Sequence, residues 1–250
     1  MTFSRLGGRL LREEHTHAQV AITAFALGLA AGSAGLCAIL VNVSGHPRCS
    51  RKHQQKQQSQ RYRGLAFYVA LLALFHLLEY VTTAMHRLDV SMKAFMLNHS
   101  PQYKIALAAG LVEYCLEAVF WPGLKVWRWW NWVGVALVLA CQVLRSLAML
   151  TAGANFTHLI SFHKERGHVL VTDGIYKVFR HPSYTAFFYY GPCLQLGVLM
   201  NPIAFVANVI VLWRFFQDRI GVEEETLVEF FGQEYEAYRT RSYIFIPFIK

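Results

Sequence analysis

The chain has 250 residues, of which 55% are hydrophobic and only 16% are charged. Soluble domains carry about 25% charged residues, so this composition excludes an ordinary soluble protein and predicts an integral membrane protein. The net charge of +9 does not indicate nucleic acid binding, because the basic residues cluster between apolar runs, where they meet anionic lipid. Five cysteines without a C-x-x-C spacing predict neither structural disulfides nor a zinc site.

Apolar stretches near the ~20 residues that cross hydrocarbon recur along the chain and predict about six transmembrane helices. They cover residues 18–43, 64–85, 104–121, 131–151, 185–200 and 203–216. The first two are separated by a basic, glutamine-rich stretch at 44–63, which we expect to be disordered or bound to headgroups. Only Asn201 and Pro202 separate the last two, which predicts a tight helical hairpin. The expected fold is therefore an all-α, polytopic membrane bundle.

Ionisable residues interrupt several of the predicted spans. His76 and Glu79 are spaced i, i+3, and Glu113 and Glu117 are spaced i, i+4, so each pair shares a helix face. An ionisable residue inside a span is a functional candidate by default. For His76 and Glu79 we favour a structural pairing over a functional site. For Glu113 and Glu117 we favour hydrogen bonding to neighbouring groups in the bundle interior over acid–base chemistry. Arg145 is expected to snorkel to the membrane surface or to be paired.

One long polar stretch, residues 167–184, stands between the apolar blocks of the second half. Gly174 predicts a turn, and Pro182 predicts the first turn of the next helix, where its missing N–H costs nothing. The residues that then cluster at the N-terminus of this apolar helix, which we call the helix mouth, are Arg180, His181, Ser183 and Tyr184. Together with free amides, they predict a pocket for a small charged cofactor. The alternative is a loop whose Arg and His contact lipid headgroups.

The predicted hairpin returns Arg219 and Glu223 to the membrane face on which His181 lies. Their i, i+4 spacing puts both on one helical face. One pocket can then contain an arginine for a carboxylate, a glutamate for an ammonium, and His and Tyr side chains for a heterocycle. The alternative is an exposed salt bridge between Arg219 and Glu223, which contributes only a few tenths of a kcal/mol.

Several motifs together resemble the isoprenylcysteine carboxyl methyltransferase family over residues 65–250. Those in the second half are Gly167-His-x-Leu-Val-Thr-x-Gly-x-Tyr176, Arg180-His-Pro-Ser-Tyr184, Trp213-Arg-Phe-Phe216, Asp218-Arg219 and Phe230-Phe-Gly-x-Glu-Tyr-x-x-Tyr238. Those upstream include Leu74-Phe-His-x-x-Glu-Tyr80, Leu97-Asn-His-Ser100 and Thr151-Ala-Gly-x-Asn-Phe-x-His158. The combination is specific, whereas Arg-His-Pro-x-Tyr alone is shared with related membrane methyltransferases and sterol reductases.

The resemblance implies an enzyme that uses S-adenosyl-L-methionine to methylate the C-terminal prenylcysteine carboxylate of CaaX-processed proteins of the small GTPase type. It implies a multi-pass protein of the endoplasmic reticulum membrane, with its catalytic side cytosolic and the prenyl chain among membrane helices. By the same resemblance, Arg219 and Glu223 are catalytic, and Arg219 contacts the substrate carboxylate. The implied cofactor pocket comprises Ser161, His168, Val169, Leu170, Val171, Tyr176, His181, Pro182, Ser183, Tyr184 and Glu223. Glu223 and Glu224 remain alternatives for the carboxylate that contacts the cofactor.

We expect one membrane-embedded domain over residues 1–250. Within it, residues 1–64 form a divergent first span and basic loop, 65–160 the core spans, and 161–250 the catalytic region. A phospholipid N-methyltransferase or an NADPH-dependent sterol reductase remains an alternative, because either would share the last two spans and their polar flanks. A receptor or scaffold would explain the spans but not the convergence of Arg219, Glu223 and His181. Membrane lipid is an expected partner, whereas nucleic acid and metal are not.

Overall fold

The computed structural model describes residues 19–37, 50–86, 92–97, 100–164 and 167–250, which are predominantly helical. The α-helices are α1 (Gln19–Cys37), α2 (Ser50–Ala84), α3 (Pro101–Phe120), α4 (Trp129–Ala152), α5 (Pro182–Pro192), α6 (Pro202–Phe231) and α7 (Gln233–Arg239). A π-helix (Cys193–Leu199) continues α5. Short 3₁₀ turns lie at Met92–Phe95, Pro122–Lys125, Gly153–Asn155 and Gly174–Lys177. The predicted all-α class is confirmed.

Three helices in the described part of the chain are long and apolar enough to cross a membrane, judged by length and composition. They are Gln19–Cys37, Tyr62–Ala84 and Trp129–Asn155, which coincide with the first, second and fourth predicted spans. The other three predicted spans are helical as well. They differ from simple spans because α3 contains three charged residues, α5 turns into a π-helix, and only the first half of α6 is apolar.

Two predicted boundaries are wrong. The stretch at 44–63 is predicted to be disordered or bound to headgroups, and disorder is wrong for residues 50–63, because α2 begins at Ser50. Gln, Lys and Arg favour helix, and no Gly or Pro interrupts residues 50–63, so the helix extends beyond the apolar run. Residues 44–49 lie outside the described residues. In addition, α6 does not end with the sixth predicted span at residue 216 but continues to Phe231 as one helix of 30 residues.

Residues 1–104 and 105–250 form two compact units. In the first unit, His76 Nδ1 lies 2.7 Å from the carbonyl oxygen of Phe95, and its Nε2 lies 3.0 Å from Tyr103 Oη. The Tyr80 ring stacks on Phe95 with 4.2 Å between centroids. Glu79 is fully buried. These contacts support the structural interpretation of the His76 and Glu79 pair.

In the second unit, α4 crosses the π-helix at two glycines. A Cβ added to Gly134 would lie 2.5 Å from Gly197 Cα, and one added to Gly197 would lie 2.6 Å from Gly134 Cα. Asn131 Nδ2 donates to Gly197 O at 2.9 Å. The two backbones are therefore in direct contact, and any side chain at either glycine would force the helices apart.

A buried polar cluster holds the turn between the π-helix and α6. Lys125 is fully buried, and its Nζ donates to Glu117 Oε2 at 2.5 Å and to Asn201 Oδ1 at 2.7 Å. It also donates to the carbonyl oxygens of Leu199 and Met200 at 3.0 and 2.9 Å. Glu117 thus neutralises a cation that binds the end of the π-helix, which supports its structural interpretation.

Glu113 caps the beginning of α6. Its two carboxylate oxygens accept hydrogen bonds from the backbone N–H groups of Ile203 and Ala204 at 2.8 and 2.7 Å. A negative charge at this position also complements the positive end of the helix dipole. Glu113 is therefore a helix cap, and the acid–base alternative for this carboxylate pair is not supported.

The C-terminal segment that follows α7 packs on α5 and α6. Tyr243 N donates to Val178 O, and Arg180 N donates to Tyr243 O, both at 2.9 Å, so residue 243 forms a parallel bridge with residue 179. A hydrophobic cluster joins the segment to the two helices and consists of Phe188, Phe216, Ile220, Ile244 and Ile246. These contacts hold the polar stretch before α5 against the rest of the second unit.

Candidate active site

The candidate site lies at the N-terminus of α5. The 3₁₀ turn at Gly174–Lys177 precedes it, and Pro182 occupies the first turn of the helix, as the sequence predicts. His181 is the N-cap residue, with φ −125° and ψ 65°. The side chains that this boundary brings together are Arg180, His181, Pro182 and Ser183, which are buried, and Tyr184, which is half-buried.

The hydroxyl of Tyr184 joins Arg219 and Glu223. Arg219 Nε donates to Tyr184 Oη at 2.8 Å, and Tyr184 Oη in turn donates to Glu223 Oε2. Arg219 Nη2 donates to the carbonyl oxygen of His158 at 2.8 Å. Arg219 and Glu223 therefore share one face of α6, as their spacing predicts. They meet at a phenol in a half-buried site, which differs from the exposed salt bridge of the alternative interpretation.

The ring of Tyr184 is fixed by its neighbours. It stacks on the His181 ring with 5.5 Å between centroids and an interplanar angle of 3°, and it contacts Phe216 at 5.2 Å. Burial, followed by the nearby Glu223 carboxylate, raises the pKa of the Tyr184 hydroxyl far above its ordinary value. The hydroxyl is therefore protonated at neutral pH and can donate to Glu223 while it accepts from Arg219.

Glu224 is the centre of a second, buried cluster. Its Oε1 accepts from Tyr235 Oη at 2.9 Å and lies 2.8 Å from His181 Nε2. Arg180 Nε is 2.7 Å from the same oxygen, in an ion contact poorly aligned for a hydrogen bond, and Arg239 Nε is 3.2 Å from Oε2. Burial alone would raise the pKa of Glu224, but the hydrogen bond from His181 and the charges around it lower that pKa below its ordinary value.

The two adjacent glutamates are therefore in different situations. Protein groups surround the Glu224 carboxylate, whose side chain is 9% exposed, whereas that of Glu223 is 26% exposed. An ionised carboxylate only accepts hydrogen bonds, so His181 Nε2 carries a hydrogen toward Glu224. His181 Nδ1 lies 3.8 Å from Glu223 Oε1. Of the two alternatives left by the sequence, Glu223 is the one that is accessible to a ligand.

Two further predicted pocket residues lie on the α4 side of the helix mouth. Ser183 Oγ accepts a hydrogen bond from Arg145 Nη1 at 2.9 Å. Tyr176 Oη donates to the carbonyl oxygen of Ala148 at 3.3 Å. Arg145 is thus a paired, buried arginine, as one of its two predicted roles requires, and it ties α4 to the first turn of α5.

Of the predicted pocket residues in the 161–171 segment, His168 lies further along α6. The His168 ring contacts Phe230 and Phe231 at 5.8 and 5.6 Å, and Lys164 Nζ donates to Phe230 O at 2.7 Å. These contacts are about two helical turns beyond Glu223. Of the other predicted residues in this segment, Ser161, Leu170 and Val171 are half-buried and Val169 is exposed. The structure therefore brings His181, Tyr184, Arg219 and Glu223 together, and places His168 beyond them along α6.

Sequence reasoning did not identify Glu224 as a buried centre, nor Tyr235 and Arg239 as its partners. A signal was available in the spacing. Phe216, Ile220 and Glu224 follow one another at four-residue intervals and are 2%, 1% and 7% exposed, so they form one buried stripe of α6. A glutamate that continues an apolar stripe must be buried, and a buried carboxylate requires donors.

The arrangement can bind an anion beside a cation. Tyr184 and His158 use two of the five N–H donors of Arg219, and the planar fork of a guanidinium matches a carboxylate. The partly exposed carboxylate of Glu223 can attract a positive group. In the part of the chain that the structure describes, no group of three or more His, Cys, Asp or Glu side chains is arranged to hold a metal ion.

Comparison with known proteins points to one family. Residues 133–229 match the isoprenylcysteine carboxyl methyltransferase (ICMT) family. The chain is 44% identical over 190 residues to the protein-S-isoprenylcysteine O-methyltransferase of Dictyostelium discoideum, covering 76% of this chain and 79% of that protein. It is 40% identical over 239 residues to the Homo sapiens protein of the same name, covering 89% and 83%. The solved structure of the eukaryotic intramembrane Ras methyltransferase ICMT is similar, with a TM-score of 0.74, 40% identity, and coverage of 76% of this chain and 68% of that one.

Proposed function

The chain belongs to the isoprenylcysteine carboxyl methyltransferase family. From this premise we propose how its residues hold the carboxylate of a C-terminal prenylcysteine for methylation. It is a multi-pass membrane methyltransferase. The phospholipid N-methyltransferase, sterol reductase and receptor alternatives are not favoured, because its relatives are named for methylation of isoprenylcysteine. The observation that carries the proposal is the contact of Arg219 and Glu223 with one hydroxyl, that of Tyr184.

Arg219 is the proposed holder of the substrate carboxylate. Its Nε and Nη2 atoms each donate to a fixed acceptor of the protein, so the guanidinium plane is oriented before substrate arrives. The terminal nitrogens retain donors that can form two parallel bonds with a carboxylate. A carboxylate is already ionised at pH 7, so its methylation requires placement rather than a general base.

Tyr184 is the proposed positioning residue between the two charges. Its protonated hydroxyl accepts from Arg219 and donates to Glu223, which fixes both side chains relative to the mouth of α5. The stacked His181 and Tyr184 rings offer an aromatic wall beside them. In this role the ring of Tyr184 contributes to the cofactor pocket, and its hydroxyl aligns Arg219.

The proposed cofactor is S-adenosyl-L-methionine, whose sulfonium and ammonium groups are cationic. Glu223 suits such a ligand because its carboxyl group is partly exposed. When bound, the cofactor supplies its methyl group to a substrate carboxylate oxygen, and the C–S bond breaks with its electron pair remaining on sulfur. His168, which contacts α6 about two helical turns beyond Glu223, would contribute to the same cofactor pocket. The half-buried site favours a reaction in which opposite charges neutralise.

The proposed location is the endoplasmic reticulum membrane, with the site on the cytosolic side and C-terminally prenylated proteins of the small GTPase type as substrates. Lipid is where such substrates concentrate, because burial of a prenyl chain stabilises by about 0.8 kcal/mol per CH₂. A site at the mouth of a membrane helix therefore receives the carboxylate while the chain remains in lipid.

The deciding experiment measures transfer of a radiolabelled methyl group from S-adenosyl-L-methionine to N-acetyl-S-farnesylcysteine by the purified protein in lipid. We expect a base-labile methyl ester to form. N-acetylcysteine without the prenyl group should accept no methyl group, since it lacks the part that partitions into lipid. Methylation of phosphatidylethanolamine in place of farnesylcysteine, or no methylation of either, would refute the proposal.

A further inference from the structure

The C-terminal segment, residues 243–250, has an apolar outer face as well as an apolar inner face. We propose that this segment is an interfacial membrane anchor, whose outward aromatic side chains contact lipid and hold the mouth of α5 at the membrane surface. The proposal concerns the contact with lipid alone and does not depend on the substrate or cofactor proposed above.

The side chains of the segment alternate between the core and the surface. Ile244 and Ile246 are 7% and 2% exposed and belong to the hydrophobic cluster with α5 and α6. Tyr243 and Phe245, which point the other way, are 61% and 44% exposed. An extended segment with one face in water alternates apolar and polar residues, whereas here both faces are apolar. The outer face therefore suits lipid better than water.

Phe248 carries the same argument further. Its side chain is 91% exposed, and its φ of 65° lies in the left-handed region that residues other than glycine rarely adopt. The backbone at Phe248 is therefore strained, while its aromatic ring points away from the protein. Transfer of that ring from water into lipid would offset the free-energy cost of this strain, because burial of apolar surface is favourable. Lys250 follows and can extend its charge to the headgroup layer.

A hydrogen bond from α6 fixes the depth of the segment. Trp213 Nε1 donates to the carbonyl oxygen of Pro247 at 2.7 Å. Trp213 lies near the end of the apolar half of α6, where Val211 and Phe215 are 59% and 42% exposed. The exposed Arg214 adjoins it, and a continuous polar run begins at Gln217. Tryptophan and tyrosine concentrate at this level of membrane helices, where hydrocarbon meets headgroups. The outer face of the segment is thus continuous with the apolar surface of α6.

The anchor is connected to the candidate site through the backbone. The N–H and carbonyl of Tyr243 bond to Val178 and Arg180, which precede the helix mouth. Tyr189 Oη, on α5 itself, donates to Phe245 O at 3.0 Å. Contact of the segment with lipid would therefore set the depth at which the mouth of α5 lies.

The test uses nitroxide spin labels on single cysteines, introduced by Phe245→Cys and Phe248→Cys in a variant whose five native cysteines are replaced by alanine. The labelled proteins are reconstituted into phosphatidylcholine nanodiscs. Labels at Ile210→Cys and Glu234→Cys serve as references for lipid and water. We expect dissolved oxygen, which concentrates in lipid, to relax the labels at 245 and 248 more than a water-soluble nickel chelate does. The order should be the same at 210 and reversed at 234.

Stronger relaxation by the nickel chelate at 245 and 248 would overturn the proposal, because the segment would then face water. Protection from both reagents would also overturn it, because protein would then cover the outer face. Spin–spin broadening would identify that cover as a second copy of the chain. If Phe248→Cys disturbs folding, as judged by size-exclusion chromatography and thermal unfolding, the label at 245 decides alone.

Discussion

At the residue scale, the candidate site is defined by three side chains that share one oxygen atom. The Tyr184 hydroxyl accepts from Arg219 and donates to Glu223, while Glu224 one residue later is surrounded by protein donors. Neighbouring residues of α6 therefore have separate tasks, because a step of about 100° per residue turns the two glutamates toward different surroundings. The exposed oxygens of Glu223 are available for a ligand, and those of Glu224 maintain the structure.

Substitution Arg219→Lys tests the proposed grip on the substrate carboxylate. Lysine keeps the charge, but it cannot donate to Tyr184 and His158 and also form two parallel bonds with a carboxylate. We expect the rate on farnesylcysteine to fall on the order of 10²-fold, since small displacements of reacting atoms have effects of that size. Thermal stability and S-adenosyl-L-methionine affinity should remain near wild type. Arg214→Lys, an exposed arginine on the same helix, is the matched control, and a wild-type rate in Arg219→Lys would exclude the proposed role.

Substitution Tyr184→Phe separates the hydroxyl from the ring. Phenylalanine keeps the stacking on His181 but removes the atom between Arg219 and Glu223. Hydrogen bonds to charged groups contribute about 1.5–3 kcal/mol, so we expect kcat/KM for farnesylcysteine to fall about 10- to 100-fold. Cofactor affinity, measured by calorimetry, should change little.

The control for that experiment is Tyr189→Phe, which removes a hydroxyl from the same helix. It should leave the rate close to wild type. A double variant of Tyr184→Phe with Arg219→Lys should be barely slower than Arg219→Lys alone, because both changes disrupt the same alignment. Additive losses would show that Tyr184 does not act through Arg219.

Substitution Glu224→Gln addresses the pH dependence of stability. The pKa of Glu224 is lower in the folded protein than its ordinary value of 4.5, so its stabilising effect is present above pH 4.5 and is lost as the pH falls further. We expect the variant to lose about 3 kcal/mol at pH 7, because Arg180 and His181 would face an uncharged amide in a buried site. Its melting temperature should then depend less on acid than that of the wild type.

Thermal unfolding in detergent from pH 7 down to about pH 3 measures both effects, because the stabilising effect is lost only below pH 4.5. Glu225→Gln changes an exposed neighbour and should reproduce the wild-type curve. If the melting temperature of Glu224→Gln falls with acid as much as that of the wild type, other carboxylates cause the loss of stability at low pH.

At the scale of elements, the site depends on how closely α4 and the π-helix approach. The contact of Gly134 with Gly197 brings α4 against the continuation of α5, and Arg145 ties the same helix to Ser183 at the mouth of α5. Asn131 adds a hydrogen bond across the crossing. The position of the N-terminus of α5 relative to α4 therefore depends on a contact between Gly134 of α4 and Gly197 of the π-helix, far from that terminus.

Substitution Gly134→Ala tests this crossing. Its Cβ would overlap the Gly197 backbone, which has no flexible side chain to move aside. We expect destabilisation of about 1–3 kcal/mol, as for other overpacked sites, and a matching drop in melting temperature. Gly123→Ala is the control, since a Cβ there meets nothing within 4 Å. Equal melting temperatures for the two variants would contradict the close approach.

The sequence could predict those parts of the fold and site that local chemistry determines. Pro182 marks the start of α5 because proline is tolerated there, and the i, i+4 spacing of Arg219 and Glu223 places both on one face of α6. The turn at Asn201 and Pro202 follows from the same kind of rule. Such features involve only a few consecutive residues, so no knowledge of tertiary contacts is needed.

Other features depend on residues that meet only after folding. Nothing local distinguishes Glu224 from Glu223 until Tyr235 and Arg239 pack beside it. Hydropathy also ends the second span near residue 64, although helix-forming polar residues extend α2 back to Ser50. The extension was missed because hydropathy reports contact with lipid, whereas backbone conformation depends on helix propensity as well.

At the scale of the whole molecule, the proposed topology puts the candidate site on the cytosolic side. Cysteines introduced by Lys164→Cys and Glu234→Cys, in the cysteine-free variant, should react with an impermeant maleimide in sealed microsomes. Both flank the C-terminal end of α6, since Lys164 bonds to Phe230. Leu124→Cys, at the other end of α4, should react only after detergent is added. Protection at 164 or 234 would reverse the proposed orientation.

The continuity of α6 has a consequence for its rotational phase. Glu113 clamps the first turn of this 30-residue helix, while Arg219, Glu223 and Glu224 must face their partners some five turns later. An uninterrupted helix transmits rotation without loss, so inserting one residue after Val206 would turn everything beyond it by about 100°. The contacts of Glu113 with the first turn of α6 and the contacts at the site could not then form together, so one set would be lost. An insertion anywhere between the Glu113 cap and the site therefore rotates the site residues away from their partners, although it contacts neither the cap nor the site.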